Sequence, residues 1–185
     1  MKFILASASP RRMELLSQIV KDFEIIPAKG EECADGSLPP ERVACKLAEN
    51  KCAEVFEKNS GALVIACDTI VVYNGVILGK PKSADDAAKT LKMLSGKTPG
   101  VITGVCVRCG NTKIIEYEKT KVRFNDLSDK FIKDYVAGGS PMDKAGSYGI
   151  QDGGVVQSYS GSYTNVVGLP VELVKKIIEE VLLDE

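Results

Sequence analysis

The sequence predicts an α/β protein with a mixed, twisted sheet flanked by helices. Short apolar runs suited to strands alternate with segments of helical spacing over most of the 185 residues. Two hairpin signals, Asn74-Gly75 and Gly110-Asn111, interrupt this alternation. Strands joined through helices tend to be parallel, whereas hairpins join antiparallel strands, so we expect both kinds of pairing in one sheet.

The first half of the chain predicts two strand–helix pairs and then a hairpin. Ser9-Pro10 indicates a helix start, because a hydroxyl residue suits the N-cap and proline suits the first helical position. In order, we expect a strand at 3–6, a helix near 10–20, a strand at 23–26, a polar loop at 29–39, a helix at 41–57, an apolar strand at 62–67, and hairpin strands at 69–73 and 76–78.

The second half predicts a helix, a long hairpin and a functional loop region. Ser83 and Ser128 are the expected N-caps of two helices. We expect a helix to residue 94, strands at 100–109 and 113–124, a helix ending near Gly138-Gly139, and a C-terminal helix from Pro170 to about residue 183. Residues 140–168 have little periodicity, and a stretch of this length usually carries function.

Composition excludes several classes of partner. Twenty-four basic and 25 acidic residues leave a net charge of −1, so no basic field favours nucleic acid or an anionic membrane. The apolar runs are too short to span a bilayer, and Arg11 and Arg12 interrupt the layout of a signal peptide. We therefore expect a cytoplasmic protein. Its length makes one domain, residues 1–185, the default expectation, with two small lobes as the alternative.

The cysteine and histidine content restricts the chemistry. The chain has no histidine, which removes Ser-His-Asp and Cys-His catalysis and histidine-bound metals. Its six cysteines show no disulfide framework. Cys106 and Cys109 form a lone C-x-x-C within a strand-like run. We interpret them as small, buried hydrophobic residues rather than as zinc ligands.

The segment from Ser7 to Arg12 is the first candidate site. Arg11 and Arg12 fall in the first helical turn, where the helix dipole disfavours cations. A bound anion would compensate, since backbone N–H groups, the Ser7 and Ser9 hydroxyls and two guanidinium groups can together hold phosphate. The alternative is a solvated helix start whose arginines meet surface carboxylates.

Asp68 and Thr69 form the second candidate, placed directly after the most apolar strand. Open α/β sheets put reacting groups at strand ends. Asp68 could ligate Mg²⁺ or accept a proton from water. The alternative is a turn aspartate that caps backbone N–H groups.

Four further residues could each take part in binding or catalysis, or could have an ordinary structural role. Lys80 and Lys51 could neutralise phosphate or be surface lysines. Glu32, within Gly30-Glu31-Glu32, could ligate a hard cation or be solvated charge. Gln151 carries an amide donor and acceptor suited to the edge of a planar base, or belongs to a structured glycine-rich loop.

Taken together, these segments resemble the Maf family of nucleoside triphosphate pyrophosphatases over nearly the full chain. Each motif is weak alone, but their order is specific. The matching segments are Ser7-Ala8-Ser9-Pro10-Arg11-Arg12, Ala66-Cys67-Asp68-Thr69, Leu78-Gly79-Lys80-Pro81, Ser95-Gly96-Lys97, Thr103-Gly104-Val105, Asp143-Lys144-Ala145-Gly146, Gly161-Ser162-Tyr163 and Asn165-Val166-Val167-Gly168-Leu169-Pro170.

The resemblance implies a fold similar to inosine triphosphate pyrophosphatase, with two lobes around a deep cleft. It implies hydrolysis of a nucleoside triphosphate to the monophosphate and pyrophosphate with a divalent cation (Mg²⁺, Mn²⁺ or Co²⁺). Thr69 and Ile150-Gln151 look like the branch that acts on dTTP and UTP, rather than the branch that prefers 7-methyl-GTP. The oligomeric state, monomer or homodimer, stays open.

The resemblance also implies roles for the candidate residues. Asp68 matches the proton acceptor and, with Glu32, the metal position. The other matching positions concern substrate: Arg12, Thr69 and Gln151 for specificity, Lys51 and Lys80 for the phosphate region, and Ser7 and Arg11 within the N-terminal motif.

Two departures from the family pattern stand out: Pro99-Gly100 replaces a common His-Glu, and Asp152 follows Gln151 where glycine is usual.

Two other functions remain as alternatives to the enzyme. A nucleotide-binding regulator of cell division would not need Asp68 and Glu32. A single-stranded nucleic-acid binder would need a basic face and more than the 6% aromatic residues present.

Overall fold

The computed structural model describes residues 1–30 and 37–183 and has the predicted mixed α/β architecture. Three short 3₁₀ turns follow the fourth helix, at Ser140–Asp143, Ala145–Ser147 and Ile150–Asp152. The strands and helices are, in chain order, β1 (Lys2–Leu5), α1 (Pro10–Leu16), β2 (Glu24–Ile25), α2 (Pro40–Phe56), β3 (Ala62–Tyr73), β4 (Val76–Leu78), α3 (Ala84–Leu94), β5 (Gly100–Cys109), β6 (Thr112–Phe124), α4 (Asp129–Ala137), β7 (Val156–Ser160), α5 (Tyr163–Val167) and α6 (Val171–Leu183).

Within the described residues, seven strands form one mixed sheet in the order β2-β1-β3-β5-β6-β7, with β4 paired to β3. β1 is parallel to β2 and to β3, and its register with β3 runs from Lys2 opposite Ala62 to Leu5 opposite Ile65. β4 and β7 pair antiparallel with β3 and β6. The predicted combination of parallel and antiparallel strands is therefore confirmed.

The local signals for turns and caps give the structures expected of them. Asn74 and Gly75 both have positive φ, 50° and 78°, as a two-residue hairpin turn requires. Ser83 Oγ accepts the Asp86 N–H at 3.1 Å, and Ser128 Oγ accepts the Phe131 N–H at 3.1 Å. α3 and α4 thus begin where their hydroxyl caps predict.

The chain divides into two compact units, residues 1–69, 103–118 and 168–185 in the first and 70–102 and 119–167 in the second. In the first unit α2 covers the sheet, and its Ala48, Cys52 and Val55 share a core with Val64 and Ala66 of β3. The contact is close, because a Cβ added to Gly104 of β5 would lie 2.3 Å from backbone atoms of Ala44 in α2.

The core of the second unit lies between α3, α4 and the adjoining sheet strands. Leu91 and Leu94 of α3 and Ile132 of α4 pack with Val122 and Phe124 of β6. Among the described residues no helix has the length and hydrophobicity needed to cross a membrane.

Three details differ from the sequence predictions. The first helix ends at Leu16 rather than near residue 20. Residues 140–168, predicted as loop, contain β7 and α5. The strand predicted to end at residue 67 continues to Tyr73, because residues 71–73 pair with β4 and hold the chain extended.

Candidate functional site

The parallel pairing of β1 with β3 brings the candidate residues of the first unit close together. Ala6 N–H donates to Ile65 O at 2.8 Å, one residue past the end of β1. Ser7 therefore leaves β1 at the level where β3 reaches Cys67 and Asp68. α/β sheets place ligand sites where parallel strands end. Here β1 ends beside Cys67 and Asp68 of the continuing β3, so both predicted motifs meet at this level.

Arg12 is the centre of one group of contacts, which we call the Arg12 cluster (Ser7, Arg12, Thr69, Thr103 and the Gly168 carbonyl). Its Nε donates to Gly168 O at 2.8 Å, Nη2 to Thr69 Oγ1 at 3.1 Å and Nη1 to Ser7 Oγ at 3.4 Å. These three acceptors are neutral, so the contacts orient the guanidinium without cancelling its charge. An oriented guanidinium at a helix start is suited to binding an anion.

The helix start itself differs in one respect from its prediction. Ser9 occupies the N-cap position and Pro10 the first helical position, as expected. In the described part of the chain, however, the Ser9 hydroxyl caps no backbone N–H. Ser7 Oγ instead accepts the Ser9 N–H at 3.2 Å, so the serine two residues earlier supplies the hydroxyl at this turn.

Lys51 and Asp68 form a second contact, between α2 and β3. Val64 and Ala66 of β3 pack against α2, and Asp68 continues the same row because side chains alternate along a strand. Lys51 Nζ donates to Asp68 Oδ1, with the two side chains 17% and 8% exposed. The prediction that Asp68 lies at a strand end is wrong, as is the alternative of a turn aspartate, since β3 runs through it.

Cys67 lies beside these charges without being a nucleophile. It is fully buried, and burial raises the pKa of its thiol to about 12, although Arg12 and Lys51 act in the opposite direction. A thiol with this pKa stays protonated near neutral pH, and the thiolate is the reactive form. Cys67 therefore supplies no thiolate at this edge of the sheet near neutral pH.

The remaining predicted residues are Arg11, Lys80, Gln151 and Glu32, of which Glu32 lies outside the described residues. Arg11 is half-buried in the first turn of α1. Lys80 follows β4 in the second unit, and Gln151 lies in a 3₁₀ turn of that unit, both with exposed side chains. Glu32, with Glu31, lies outside the described residues.

The sequence reasoning gave no role in the site to two members of the Arg12 cluster, Thr103 and Gly168, although both lie in motifs that it quoted. Thr103 is fully buried in β5, and its Oγ1 lies 2.9 Å from Thr69 Oγ1. A hydroxyl within a mostly apolar strand was the available signal. The Gly168 carbonyl gives no such signal, because any residue has one and its partner Arg12 is 156 positions away.

The similarity to known proteins covers the part of the chain that contains the motifs. A family model described as "Maf-like protein" matches residues 2–181. A dTTP/UTP pyrophosphatase of Thermococcus gammatolerans is 43% identical over 178 residues, covering 95% of each chain. Another dTTP/UTP pyrophosphatase, from Bacillus cereus strain B4264, is 43% identical over 185 residues, covering 99% of this chain and 97% of the relative.

A solved structure also matches the fold. The Ham1 protein of Staphylococcus aureus superposes with a TM-score of 0.54 at 13% identity, covering 97% of this chain and 99% of the other. At this identity the likeness concerns the fold alone. With the family model and the two relatives covering almost all of the sequence, the chain belongs to the Maf-like protein family.

Proposed function

We propose that this protein hydrolyses nucleoside triphosphates, dTTP and UTP foremost, to the monophosphate and pyrophosphate. The observation that carries this function is the nearly full-length likeness to relatives named dTTP/UTP pyrophosphatase. The Arg12 cluster and the Lys51–Asp68 pair supply side chains of the kind that the reaction needs, which are oriented cations and a carboxylate.

The cations would bind the triphosphate. Cleaving a phosphoanhydride requires the negative charge of the phosphates to be neutralised by groups already in position. Arg12 is held by three hydrogen bonds to neutral acceptors. We assign it, with Arg11, Lys51 and Lys80, to phosphate binding, and Ser7 to the same task through its hydroxyl.

Asp68 would accept the proton of the attacking water. As the water oxygen bonds to phosphorus, its proton passes to the carboxylate and the link between the α- and β-phosphates breaks, which releases pyrophosphate. A general base must be fixed within hydrogen-bond reach of the water. The contact with Lys51 and the continuous strand fix the Asp68 side chain.

A divalent cation fits the donors present. In the described residues no three metal-ligating side chains converge, but Mg²⁺ commonly takes only one or two carboxylates, with substrate phosphates completing its shell. Asp68 would hold the ion, with Glu32 as the second predicted ligand. The bound ion, Mg²⁺, Mn²⁺ or Co²⁺, would offset phosphate charge.

Gln151 would recognise the base. Its amide can donate to and accept from the imide edge that uracil and thymine share, whereas cytosine presents a different order of donors and acceptors. Its exposed side chain is accessible to a ligand. Thr69 and Arg12 would contribute to specificity through their mutual hydrogen bond.

A panel of nucleoside triphosphates tests the proposal. With Mg²⁺, Mn²⁺ or Co²⁺ we expect pyrophosphate release from UTP and dTTP in preference to CTP, ATP and GTP. Equal cleavage of purine triphosphates, 7-methyl-GTP included, would contradict the substrate assignment. Nucleotide binding without pyrophosphate release would instead favour a regulator of cell division.

We also propose a cytoplasmic location. The described cysteines are unbridged, as is usual in a reducing compartment. The oligomeric state, monomer or homodimer, would be measured by light scattering on the purified protein.

A further inference from the structure

Gln151 is carried by a segment that is difficult to hold in one conformation. It is the middle residue of the 3₁₀ turn Ile150–Asp152, between Gly149 and the pair Gly153-Gly154. Gly153 and Gly154 have φ values of 75° and 74°, a region that glycine enters readily. A flexible turn would present the amide in many orientations, and ordering each of its residues costs backbone entropy.

The side chain that follows Gln151 restrains this turn. Asp152 Oδ2 accepts hydrogen bonds from Tyr135 Oη and from Ser140 Oγ, each at 2.5 Å. Distances of this size are typical of hydroxyls that donate to an ionised carboxylate, the stronger class of hydrogen bond. Tyr135 belongs to α4, so the carboxylate ties the turn to a regular helix.

The same groups close into a ring, which we call the Asp152 ring (Tyr135, Gly149 and Asp152). Gly149 N–H donates to Tyr135 Oη at 3.0 Å, and Asp152 N–H donates to Gly149 O at 3.2 Å. The carboxylate folds over Gly149 so closely that an added Cβ would lie 2.7 Å from Asp152 Oδ2. Both ends of the turn are thus fixed to the same phenol.

The partners of the ring are themselves held. The Tyr135 ring stacks on Phe131, with centroids 5.8 Å apart and planes 13° apart. Lys144, whose side chain is 11% exposed, donates to the Ser140 carbonyl at 2.6 Å and to its hydroxyl at 3.1 Å. Burial, and then the bond to Asp152, raises the pKa of Tyr135 to about 12, so the phenol remains a donor near neutral pH.

We propose that Asp152 is a positioning residue for base selection, which holds the turn so that the Gln151 amide has one orientation. This inference rests on the proposed function, in which Gln151 recognises the base. Base selection by hydrogen bonds requires a fixed donor and acceptor, because a mobile amide can also pair with cytosine. The carboxylate acts through Gln151 and need not touch the nucleotide.

The experiment compares kcat/KM for UTP and CTP in the wild type and in variants. Asp152→Ala should lower the UTP-to-CTP ratio about tenfold while kcat for UTP changes less than about threefold, since orientation rather than the reacting groups is altered. Asp152→Asn should retain most of the ratio, because its amide oxygen still accepts from both hydroxyls. Tyr135→Phe should give an intermediate loss.

Asp134→Ala is the matched control. Asp134 lies on the same helix as Tyr135, is exposed and pairs with Lys130 at 2.8 Å. Its removal takes away a carboxylate without opening the ring, so the UTP-to-CTP ratio should stay at the wild-type value.

The outcomes separate this inference from the function on which it rests. If the wild type does not prefer UTP, or if Gln151→Ala keeps the preference, the assignment of Gln151 fails and the inference fails with it. If Gln151→Ala loses the preference and Asp152→Ala keeps it, the inference alone is overturned. A purely structural role would lower the melting temperature of Asp152→Ala and leave the ratio unchanged, which also overturns it.

Discussion

Replacing Gly104 with alanine should destabilise the protein through a direct clash between β5 and α2. The new Cβ would lie 2.3 Å from the carbonyl carbon and oxygen of Ala44, where ordinary contacts begin at 3.4 Å. Both partners are backbone, so no side chain can rotate away and the helix must move by about an ångström. Overpacking of this kind costs about 1–3 kcal/mol, and we expect a value near the top of that range.

The assay is urea and thermal unfolding, with Gly61→Ala as the control. A Cβ on Gly61 meets nothing within 4 Å, so that variant reports only the gain of about 0.4–1 kcal/mol from a stiffer unfolded chain. For a chain of this size a loss of about 3 kcal/mol lowers the melting temperature by about 6–12 °C. The Gly104 variant should also lose activity, because α2 carries Lys51 to Asp68.

Equal stability of the two alanine variants, within about 0.5 kcal/mol, would refute the reasoning, since surface-like substitutions fall in that range. It would mean that α2 does not approach β5 as closely as the Gly104–Ala44 contact indicates. Loss of activity without loss of stability would instead indicate a direct role of Gly104 in substrate binding.

The remaining predictions concern the proposed site. Asp68→Asn should lower kcat at least about 100-fold with little change in unfolding, because the amide oxygen still accepts from Lys51 but takes no proton from water; activity within threefold of wild type would exclude Asp68 as the base. Arg12→Lys should reduce kcat/KM for UTP, and Arg12→Ala should reduce it further, since lysine keeps the charge and loses the planar group of donors; two variants equal to the wild type would contradict phosphate binding by α1. Gln151→Ala should reduce the UTP-to-CTP ratio of kcat/KM more than it reduces kcat, measured by pyrophosphate release; an unchanged ratio would place base recognition elsewhere.

Local rules predicted much of the fold. The hairpin at Asn74-Gly75 and the caps at Ser83 and Ser128 each depend on contacts within four residues, which the sequence displays directly. Amphipathic spacing and Pro170 likewise located the C-terminal helix, which runs from Val171 to Leu183.

The features that were missed depend on pairing across the chain. β7 has a mostly exposed pattern with no apolar alternation, and it forms because β6 offers an edge, as in the pairing of Tyr159 with Val122. The Gly168 carbonyl contacts Arg12 across most of the sequence. For the site, the motifs indicated which residues to examine, but only the fold pairs Lys51 with Asp68 and Thr69 with Thr103.

The register between β1 and β3 connects these observations. Asp68 and Thr69 are consecutive, so alternation along the strand directs one toward α2 and Lys51 and the other toward the Arg12 cluster. A slip of one residue would exchange their faces and remove both sets of contacts. The pairing of Leu5 with Ile65 in a buried parallel ladder fixes that register. The apolar pairs that stabilise this edge of the sheet therefore also determine that Asp68, the proposed base, contacts Lys51 and that Thr69 orients the Arg12 guanidinium.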